Sequence, residues 1–454
     1  MIYNDSDTIV APATATGGAL CLIRISGGQA IAIVDDIFCG KQPLSLVGSH
    51  RAVYGNIVEN GRVIDDVVVT IFKAPHTYTG EDIVEISAHG SRYIINRIIS
   101  AITSRGARMA EAGEFTRRAF LAGRLDLSQA EAVADIIASE SQASHAIAST
   151  QMRGGYSDEL KAMRHELVNL CSLLELELDF SEEDVEFADR SQLNSLVESL
   201  SNKVDSLRQS FALGNVLKEG VTVAIVGAPN VGKSTLLNRL AGEQRAMVSD
   251  IAGTTRDTVE VCINIDGVMF RLIDTAGLHS TSDRLEQMGI ERTAEALRKA
   301  RIVLWLTDNE SSCIDDDLVG YTPTAKQHVY RIITKIDLSP ATSDKPTTSP
   351  YPTIRLSALT GEGVDKLRDA LHSSADATGA YNGDVIVSNH RHYEALRQAQ
   401  EALEAALAAI NTGAPTDLMS EDIRLTIHHI GSITGEITSD DILKNIFSHF
   451  CIGK

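Results

Sequence analysis

The sequence lacks a long apolar run, a basic leader segment and an excess of positive charge. Because no run of about 18 apolar residues occurs, a membrane-spanning helix is not expected. The N-terminal stretch MIYNDSDTIVAPATATGG has no basic segment followed by an apolar one, which argues against a secretory signal. The formal net charge of −20 argues against non-specific binding to nucleic acid.

Cysteine pairs with metal-binding or redox spacing are also absent. The six cysteines are scattered and none forms a CxxC pair, so neither a zinc site nor a disulfide framework is indicated. A reducing cytoplasm fits this usage best. The motifs HRH (390–392) and HH (428–429) offer candidate metal ligands, but adjacent histidines without a carboxylate in register are more often surface or core residues.

The charge is distributed unevenly along the chain. Residues 1–124 hold 12 Lys and Arg against 12 Asp and Glu, whereas residues 125–454 hold 29 against 49. Seven of the basic residues are arginines between positions 92 and 124. They indicate either a solvated helix face, which is the more common case, or a local anion-binding surface on an acidic protein.

The pattern of apolar residues predicts a multidomain α/β protein. Its 454 residues allow two to four domains. Short β-branched runs predict an α+β domain, helical spacing predicts a helical domain, and alternating strands and helices predict a parallel α/β domain. The predicted boundaries are 1–120 for the α+β domain, 121–212 and 379–454 for two helical segments, and 213–378 for the α/β domain between them. The α/β domain is therefore expected to be inserted into a discontinuous helical domain, since insertion is tolerated where its ends lie close together.

Residues 227–234 read GAPNVGKS, which matches the phosphate-binding P-loop GxxxxGK[ST]. The motif follows an apolar strand, VTVAIVG, and precedes a helix, TLLNRLAG, as the P-loop requires. Glycines allow backbone N–H groups to surround a phosphate, and the helix N-terminus adds partial positive charge. Lys233 is expected to reach the β- and γ-phosphates, and Ser234 to bind Mg²⁺.

Three further motifs follow in the order typical of GTPases. DTAG (274–277) ends an apolar strand, and we expect Asp274 to hold Mg²⁺ through water and the Gly277 N–H to contact the γ-phosphate. TKID (334–337) places Asp337 where a carboxylate accepts two hydrogen bonds from guanine, which favours GTP over ATP. Thr334 stands where asparagine is usual. SAL (357–359) offers the Ala358 N–H to the guanine oxygen.

Two details indicate the type of GTPase. Leu278 follows DTAG, where Ras-like GTPases have the glutamine that orients the attacking water. The next segment offers Asp283, Glu286 and Glu291 as alternatives. Asn230, together with SDIAGTTRD (249–257), is a plausible ligand set for a monovalent cation, and Thr255 is the expected second Mg²⁺ ligand. The complete predicted GTP site comprises Asn230, Val231, Gly232, Lys233, Ser234, Thr235, Ser249, Asp250, Ile251, Ala252, Gly253, Thr254, Thr255, Asp274, Thr275, Ala276, Gly277, Thr334, Lys335, Asp337, Ser357 and Ala358.

GAPNVGKS, DIAGTTRD, DTAGL, the inserted position of the GTPase domain and the C-terminal FCIGK together resemble the MnmE (TrmE) family of tRNA-modification GTPases. The resemblance extends from position 7 to the C-terminus. It implies an N-terminal α+β folate-binding-like domain, a discontinuous helical domain and an inserted Ras-like P-loop GTPase domain. It also implies a GTP hydrolase that acts with a flavin-dependent partner, MnmG, at carbon five of the wobble uridine of certain tRNAs. The group added is of the aminomethyl or carboxymethylaminomethyl type.

The resemblance assigns further roles to residues and partners. Glu286 matches the catalytic, water-orienting glutamate, and K⁺ takes the place of an arginine finger. The matching K⁺ ligands are Asn230, Ser249, Ile251 and Thr254. The matching contacts of a 5-formyl- or methylene-tetrahydrofolate are Arg24, Glu81, Arg124 and Lys454. The family forms homodimers through the N-terminal domains, assembles with MnmG as a heterotetramer, and meets tRNA mainly through MnmG in the cytoplasm.

The resemblance also places the C-terminal tail beside the folate. Cys451 is then a candidate reactive group, and the alternative role is that of a packed small residue, since free cysteine is often buried. Two other functions fit parts of the sequence. A GTP-switched ribosome assembly factor would require a basic RNA-binding domain beside the GTPase, but the neighbouring segments are acidic. A folate-binding module with a degenerate GTPase conflicts with the intact Lys233, Ser234, Asp274 and Asp337.

Overall fold

The structure is a computed structural model that describes most of the chain. The described residues are 7–179, 190–243, 260–274, 296–308, 322–324, 327–338, 349–375 and 385–453. Contacts between residues divide the chain into two compact units. The first unit is Met1–Ala134, Gln151–Asp189 and Thr412–Lys454, and the second is Asp135–Thr150 and Arg190–Asn411. Each unit contains one β-sheet.

The sheet of the first unit has seven strands. These are β1 (Ile9–Pro12), β2 (Leu20–Ser26), β3 (Phe38–Gly40), β4 (Arg51–Glu59), β5 (Arg62–Phe72), β6 (Ile83–His89) and β7 (Arg108–Met109). Their order is β3-β4-β5-β6-β2-β1-β7, and only β1 and β7 pair in parallel. Because side chains alternate along a strand, Val67 and Val69 enter the core while Asp66 and Val68 lie on the opposite face.

Helices cover the two faces of this sheet differently. Helices α1 (Ala30–Asp35) and α2 (Arg92–Thr103) contact the face that carries the main core. Helix α3 (Glu114–Leu121) supplies Phe115, which packs with Ile9 and Ala11 in a smaller cluster. The strands predicted between residues 1 and 120 are confirmed, and α3 occupies the face that carries Arg24 and Ser26.

The first helical segment consists of α4 (Leu127–Ala138), α5 (Gln142–Met152), α6 (Gly155–Asp179) and α7 (Arg190–Glu219). The chain turns between α5 and α6 at Gly154, whose φ is 91°. Helix α7, however, continues past Ala212, where the helical pattern was expected to end. Gly214 lies inside the helix because a Cβ there would stand 2.1 Å from the carbonyl oxygen of Val387. The helix ends before Gly220, whose φ is 85°.

The inserted domain has a six-stranded sheet. Its strands are β8 (Val221–Gly227), β9 (Glu260–Ile265), β10 (Val268–Asp274), β11 (Ile302–Thr307), β12 (His328–Ile333) and β13 (Thr353–Arg355). The order is β13-β12-β11-β8-β10-β9, and only β9 is antiparallel to its neighbour. Helices α8 (Lys233–Glu243) and α9 (Val364–Ser374) accompany the sheet. This is a Ras-like P-loop GTPase domain, in which the carboxyl ends of the parallel strands gather the ligand-binding loops at one edge.

The second helical segment consists of α10 (His390–Thr412), α11 (Thr416–Thr434) and α12 (Asp440–Ser448). Within the first unit α11 packs on α6, and Arg424 is bonded to Glu175. Within the second unit Tyr393 of α10 stacks on Phe211 of α7 with ring centroids 4.6 Å apart. Helices from before and after the GTPase domain therefore pack together, which makes the helical domain discontinuous. In the described part of the chain, no helix has the length and apolar character needed to cross a membrane.

Candidate functional site: a GTP site and a polar cluster in the first unit

The P-loop connects β8 to α8 through residues with positive φ. Gly227 has φ 145°, and a Cβ there would stand 2.2 Å from the Leu306 carbonyl oxygen of β11. Gly232 and Asn230 have φ of 102° and 63°. Only glycine fits such a close backbone approach, whereas asparagine tolerates the left-handed region better than most side chains. Backbone geometry therefore requires glycine at Gly227 and favours it at Gly232.

Lys233 begins α8 and is held within the P-loop. Its side chain is 6% exposed, and its Nζ donates to the Gly227 and Ala228 carbonyl oxygens at 2.6 and 2.8 Å. Ser234 and Thr235 follow in the first turn and are exposed. A helix N-terminus with free backbone N–H groups and an ammonium group attracts phosphate. Asp274, at the end of β10, pairs in register with Ile225 of β8, so the DTAG motif begins beside the P-loop strand.

Thr334 links the predicted guanine-recognition segment to the P-loop. Its buried hydroxyl lies 2.6 Å from the Val231 carbonyl oxygen and 3.3 Å from that of Thr307. A hydroxyl has one proton to donate, and the Val231 oxygen accepts it at the shorter distance. The Thr334 side chain therefore stabilises the P-loop instead of offering that proton to a base. Asp337 lies exposed three residues further on, as a base-recognition carboxylate requires.

The second loop predicted to contact the base follows β13. Ser357 is fully buried, its N–H donates to the Glu362 carbonyl oxygen at 2.9 Å, and its own carbonyl oxygen accepts from Gly361 at 2.9 Å. Lys335 has φ 57°, and its Nζ lies 2.9 Å from Asp308 Oδ2. The edge of the sheet thus brings together the described members of the predicted GTP site, from the P-loop, β10, β12 and the loop after β13.

Part of the predicted site lies outside the described residues. These residues are Ser249, Asp250, Ile251, Ala252, Gly253, Thr254, Thr255, Thr275, Ala276, Gly277, Glu286 and Lys454. The predictions for them therefore remain predictions. Of the predicted K⁺ ligands the structure describes Asn230, and of the predicted Mg²⁺ ligands it describes Ser234.

In the first unit, loop 77–82 contacts the residues that resemblance assigns to folate. Arg24 Cζ lies 5.7 Å from the Tyr78 ring centroid, while its guanidinium pairs with Glu85 at 2.8 Å. Glu81 accepts from Ser26 Oγ at 2.7 Å. Arg124 is exposed, and its Cγ would lie 4.0 Å from a Cβ at Gly80. Arg24 and Arg124 thus both lie next to the loop that carries Glu81.

Most arginines between positions 92 and 124 are paired with acidic side chains of the same unit. The pairs are Arg97 with Glu59, Arg105 with Asp36, Arg108 with Asp7 and Glu114, Arg117 with Glu111, and Arg118 with Glu81 and Glu114. These contacts argue against a broad anion-binding surface. Arg108, Arg117 and Arg118 share acidic partners and form one network, whereas Arg97–Glu59 and Arg105–Asp36 are separate pairs.

Glu114 is the centre of this network. Its side chain is buried, which disfavours the ionised form. Hydrogen bonds from Arg108, from the Glu111 N–H and from Arg118 outweigh burial and lower the pKa of Glu114 to about 2. Arg118 also donates to both carboxylate oxygens of Glu81 at 3.0 and 3.1 Å. The Glu114–Arg118 pair has a weak signal in the sequence, since the two residues are four positions apart on α3. The Arg118–Glu81 pair has none.

We expect Glu114→Gln to destabilise α3 in a pH-dependent way. Because the folded-state pKa lies below the ordinary value of 4.5, the carboxylate stabilises the fold above that pH, and the contribution is lost as the pH falls towards 2. The difference between the ordinary and the folded-state pKa corresponds to about 3 kcal/mol of unfolding free energy near neutral pH. Hydrogen exchange of the α3 amide groups measures it locally.

A matched control for this prediction is Glu111→Gln, because Glu111 is largely exposed and its pair with Arg117 is long, at 3.3 Å. We expect its effect to stay below about 1 kcal/mol. An effect of Glu114→Gln that is the same at pH 7 and at about pH 3 would contradict the role given to the carboxylate charge.

The C-terminal tail lies beside β1. Ile452 forms an antiparallel bridge with Ala112, and the Gly113 N–H faces the Cys451 carbonyl oxygen at 3.5 Å. Gly453 has φ 97°, and a Cβ there would stand 2.2 Å from the Pro12 carbonyl oxygen. Pro12 pairs with Ile23, next to Arg24. The tail therefore approaches the strand that carries Arg24, and the Cys451 side chain is exposed.

The histidine pairs do not form a metal site. His392 is buried and its Nε2 lies 3.0 Å from Arg391, while His390 packs edge-on against Phe211. His428 and His429 contact each other through their rings. Within the described ranges, no group of three or more His, Cys, Asp or Glu side chains is arranged to hold a metal ion.

Comparisons with known proteins match the whole chain to one family. The family described as MnmE helical domain matches residues 127–451, and the one described as GTP-binding protein TrmE N-terminus matches residues 8–124. A tRNA modification GTPase MnmE from Cytophaga hutchinsonii is 46% identical over 100% of this chain and 99% of its own length. The protein of the same name from Porphyromonas gingivalis is 47% identical over 99% of this chain and 98% of its own length.

Proposed function

The chain belongs to the MnmE family of tRNA modification GTPases, and from this premise we propose that it is a potassium-dependent GTP hydrolase that acts with MnmG on the wobble uridine of tRNA. The proposed modification adds an aminomethyl or carboxymethylaminomethyl group at carbon five and uses a folate one-carbon unit. The observation that carries the proposal is the ordered P-loop edge of the inserted sheet, together with the polar cluster around loop 77–82.

GTP and Mg²⁺ are assigned to the P-loop edge. Lys233 is poised within the loop, since its two carbonyl partners can be exchanged for phosphate oxygens of greater negative charge. The exposed Ser234 hydroxyl, in the first turn of α8, would hold Mg²⁺ together with Thr255. Bound Mg²⁺ neutralises charge on the β- and γ-phosphates. Asp337 and the Ala358 N–H would select guanine.

Potassium is assigned to Asn230. Its left-handed backbone places an exposed side-chain amide in the P-loop, near the phosphates rather than packed in the core. An amide oxygen is an uncharged oxygen ligand, which suits a monovalent cation. With Ser249, Ile251 and Thr254 as the remaining ligands, K⁺ would supply the charge that other GTPases obtain from an arginine finger.

Folate is assigned to the polar cluster around loop 77–82. Glu81 is oriented by hydrogen bonds from Ser26 and Arg118, which suits it to accept hydrogen bonds from the N–H groups of a pterin. Arg124 is exposed and lies close to the same loop, so its positive charge suits the glutamate tail of a folate. Lys454 would complete the contacts.

A homodimer is supported by an exposed face of the first sheet. Tyr54 and Val68 are direct cross-strand partners and are 67% and 41% exposed. Val68 pairs with Ser87, and Ser87 with Leu22, which extends the row across β6 and β2. Neighbouring apolar side chains on one sheet face are typical of an interface. The acidic chain would meet tRNA mainly through MnmG, as a heterotetramer in the cytoplasm.

The test of this proposal is steady-state GTP hydrolysis in potassium chloride and in sodium chloride at equal ionic strength. We expect hydrolysis at least about tenfold faster in potassium, because the cation replaces an arginine finger. Asn230→Ala is expected to abolish the difference, whereas Asn238→Ala, an exposed substitution on α8, is expected to preserve it.

Glu286→Ala provides a second arm of the same experiment. It is expected to abolish hydrolysis in both salts, because it removes the water-orienting carboxylate and not the cation. Equal rates of the unmodified protein in both salts would contradict the assignment of K⁺ to Asn230. A potassium effect that persists in Asn230→Ala would place the cation elsewhere.

A further inference from the structure

The loop that carries Ala358 is bonded to the helix that follows the P-loop. Arg239 lies on α8, six residues after Lys233, and its Nε donates to the Ala358 carbonyl oxygen at 3.0 Å. Its Nη2 donates to the next carbonyl oxygen, that of Leu359. A planar guanidinium can bond two successive carbonyls at once, which an ammonium group does less well. One side chain therefore holds two consecutive peptide groups.

The same loop is fixed on its other side by its own backbone. Ser357 donates to Glu362 and accepts from Gly361, and its Oγ accepts from the Thr360 N–H at 3.2 Å. Ala358 is therefore held through Ser357 before it and through its own carbonyl group after it. With both sides fixed, the direction of the Ala358 N–H is set before any nucleotide binds. Such preorganisation removes the cost of ordering the loop on binding.

We propose that Arg239 is a positioning residue for guanine recognition, which directs the Ala358 N–H at O6 of the base. The inference rests on the proposed function, in which Ala358 contacts that oxygen. Arg239 would act through the loop and not through the nucleotide. It also joins the base-recognition loop to α8, whose first turn is assigned to the phosphates, so that the two subsites keep a fixed separation.

The experiment measures dissociation constants of the full-length protein with Mg²⁺ for GDP and for 6-thio-GDP. Sulfur is a weaker hydrogen-bond acceptor than oxygen, so the ratio of the two constants reports the bond to position six. We expect the ratio to be well above one in the unmodified protein. In Arg239→Ala we expect GDP to bind about tenfold more weakly, as for one lost charge-assisted bond, and the ratio to fall towards one.

Two further variants separate positioning from a general loss of structure. Asn238→Ala, next to Arg239 and exposed, is expected to leave both constants and their ratio unchanged. Arg239→Lys retains the charge but cannot bond both carbonyl oxygens in the same planar geometry. Its ratio is expected to lie between that of the unmodified protein and that of Arg239→Ala. Fluorescence of Trp305, the single tryptophan and a buried residue of β11, confirms that the GTPase domain of each variant is folded.

The outcomes are distinguishable. If Arg239→Ala weakens both nucleotides equally and leaves the ratio unchanged, the residue supports only the fold and the inference is wrong. Unchanged binding of both nucleotides would also overturn it. A ratio near one in the unmodified protein would instead refute the Ala358 contact of the proposed function, and the role of Arg239 would fall with it.

Discussion

Replacing Lys233 with alanine is expected to reduce GTP hydrolysis by at least about 100-fold, since the loss of a preorganised charge in a water-excluded site commonly costs that much. Its Nζ is buried against the Gly227 and Ala228 carbonyl oxygens, so the ammonium group is already placed in the loop before nucleotide arrives. We expect the lysine to stabilise the charge that develops on the γ-phosphate during transfer. The rate constant under single-turnover conditions measures this effect directly.

The matched control for Lys233→Ala is Lys366→Ala. Lys366 is an exposed lysine on α9 of the same domain, and its removal changes the net charge equally. We expect its hydrolysis rate to remain within about twofold of the unmodified protein, as surface charges contribute little. A comparable loss in both variants would show that net charge, and not the position of Lys233, governs hydrolysis. Retained hydrolysis in Lys233→Ala would refute the assignment of the P-loop as the catalytic site.

The secondary structure was largely predictable from the pattern of residues. Strands β8 and β11 are almost continuously apolar because both faces of a parallel sheet are covered, and such runs are visible in the sequence. The end of α7 was not predictable. Gly214 favours a helix end by local rules, yet the close approach of Val387 from a distant part of the chain requires a glycine inside the helix. Tertiary contact therefore overrode the local signal.

The site was predictable where it depends on order and spacing along the chain. The P-loop, DTAG, TKID and SAL motifs each follow an apolar strand, so their placement indicated that they meet at one edge. The partners of individual side chains were not predictable. The Thr334 hydroxyl bonds to Val231, which lies 103 residues earlier, and Arg118 reaches Glu81, which lies 37 residues earlier. Such contacts depend on the packing of whole elements, which no local pattern encodes.

Replacing Gly453 with alanine is expected to weaken the proposed folate binding by at least about 100-fold and to suppress tRNA modification. GTP hydrolysis should stay within about twofold, because Gly453 belongs to the first unit and the P-loop to the second. An added Cβ would stand 2.2 Å from the Pro12 carbonyl oxygen, and the φ of 97° is itself unfavourable for a side chain. Strain of this kind costs about 1–3 kcal/mol before the steric clash is added, so folate affinity should fall by at least about 100-fold. Calorimetric titration with tetrahydrofolate measures it.

Gly413→Ala is the control for a left-handed alanine elsewhere in the first unit. Gly413 also has a positive φ, of 66°, but a Cβ there would meet nothing within 4 Å. If a general loss of stability decided the outcome, both alanine variants would lose folate affinity to a similar degree. We expect Gly413→Ala to bind folate normally, because its strain is not transmitted to β1. Normal binding in Gly453→Ala would instead show that the tail can leave the Pro12 backbone without consequence, and that the position of Cys451 beside β1 does not contribute to the folate site.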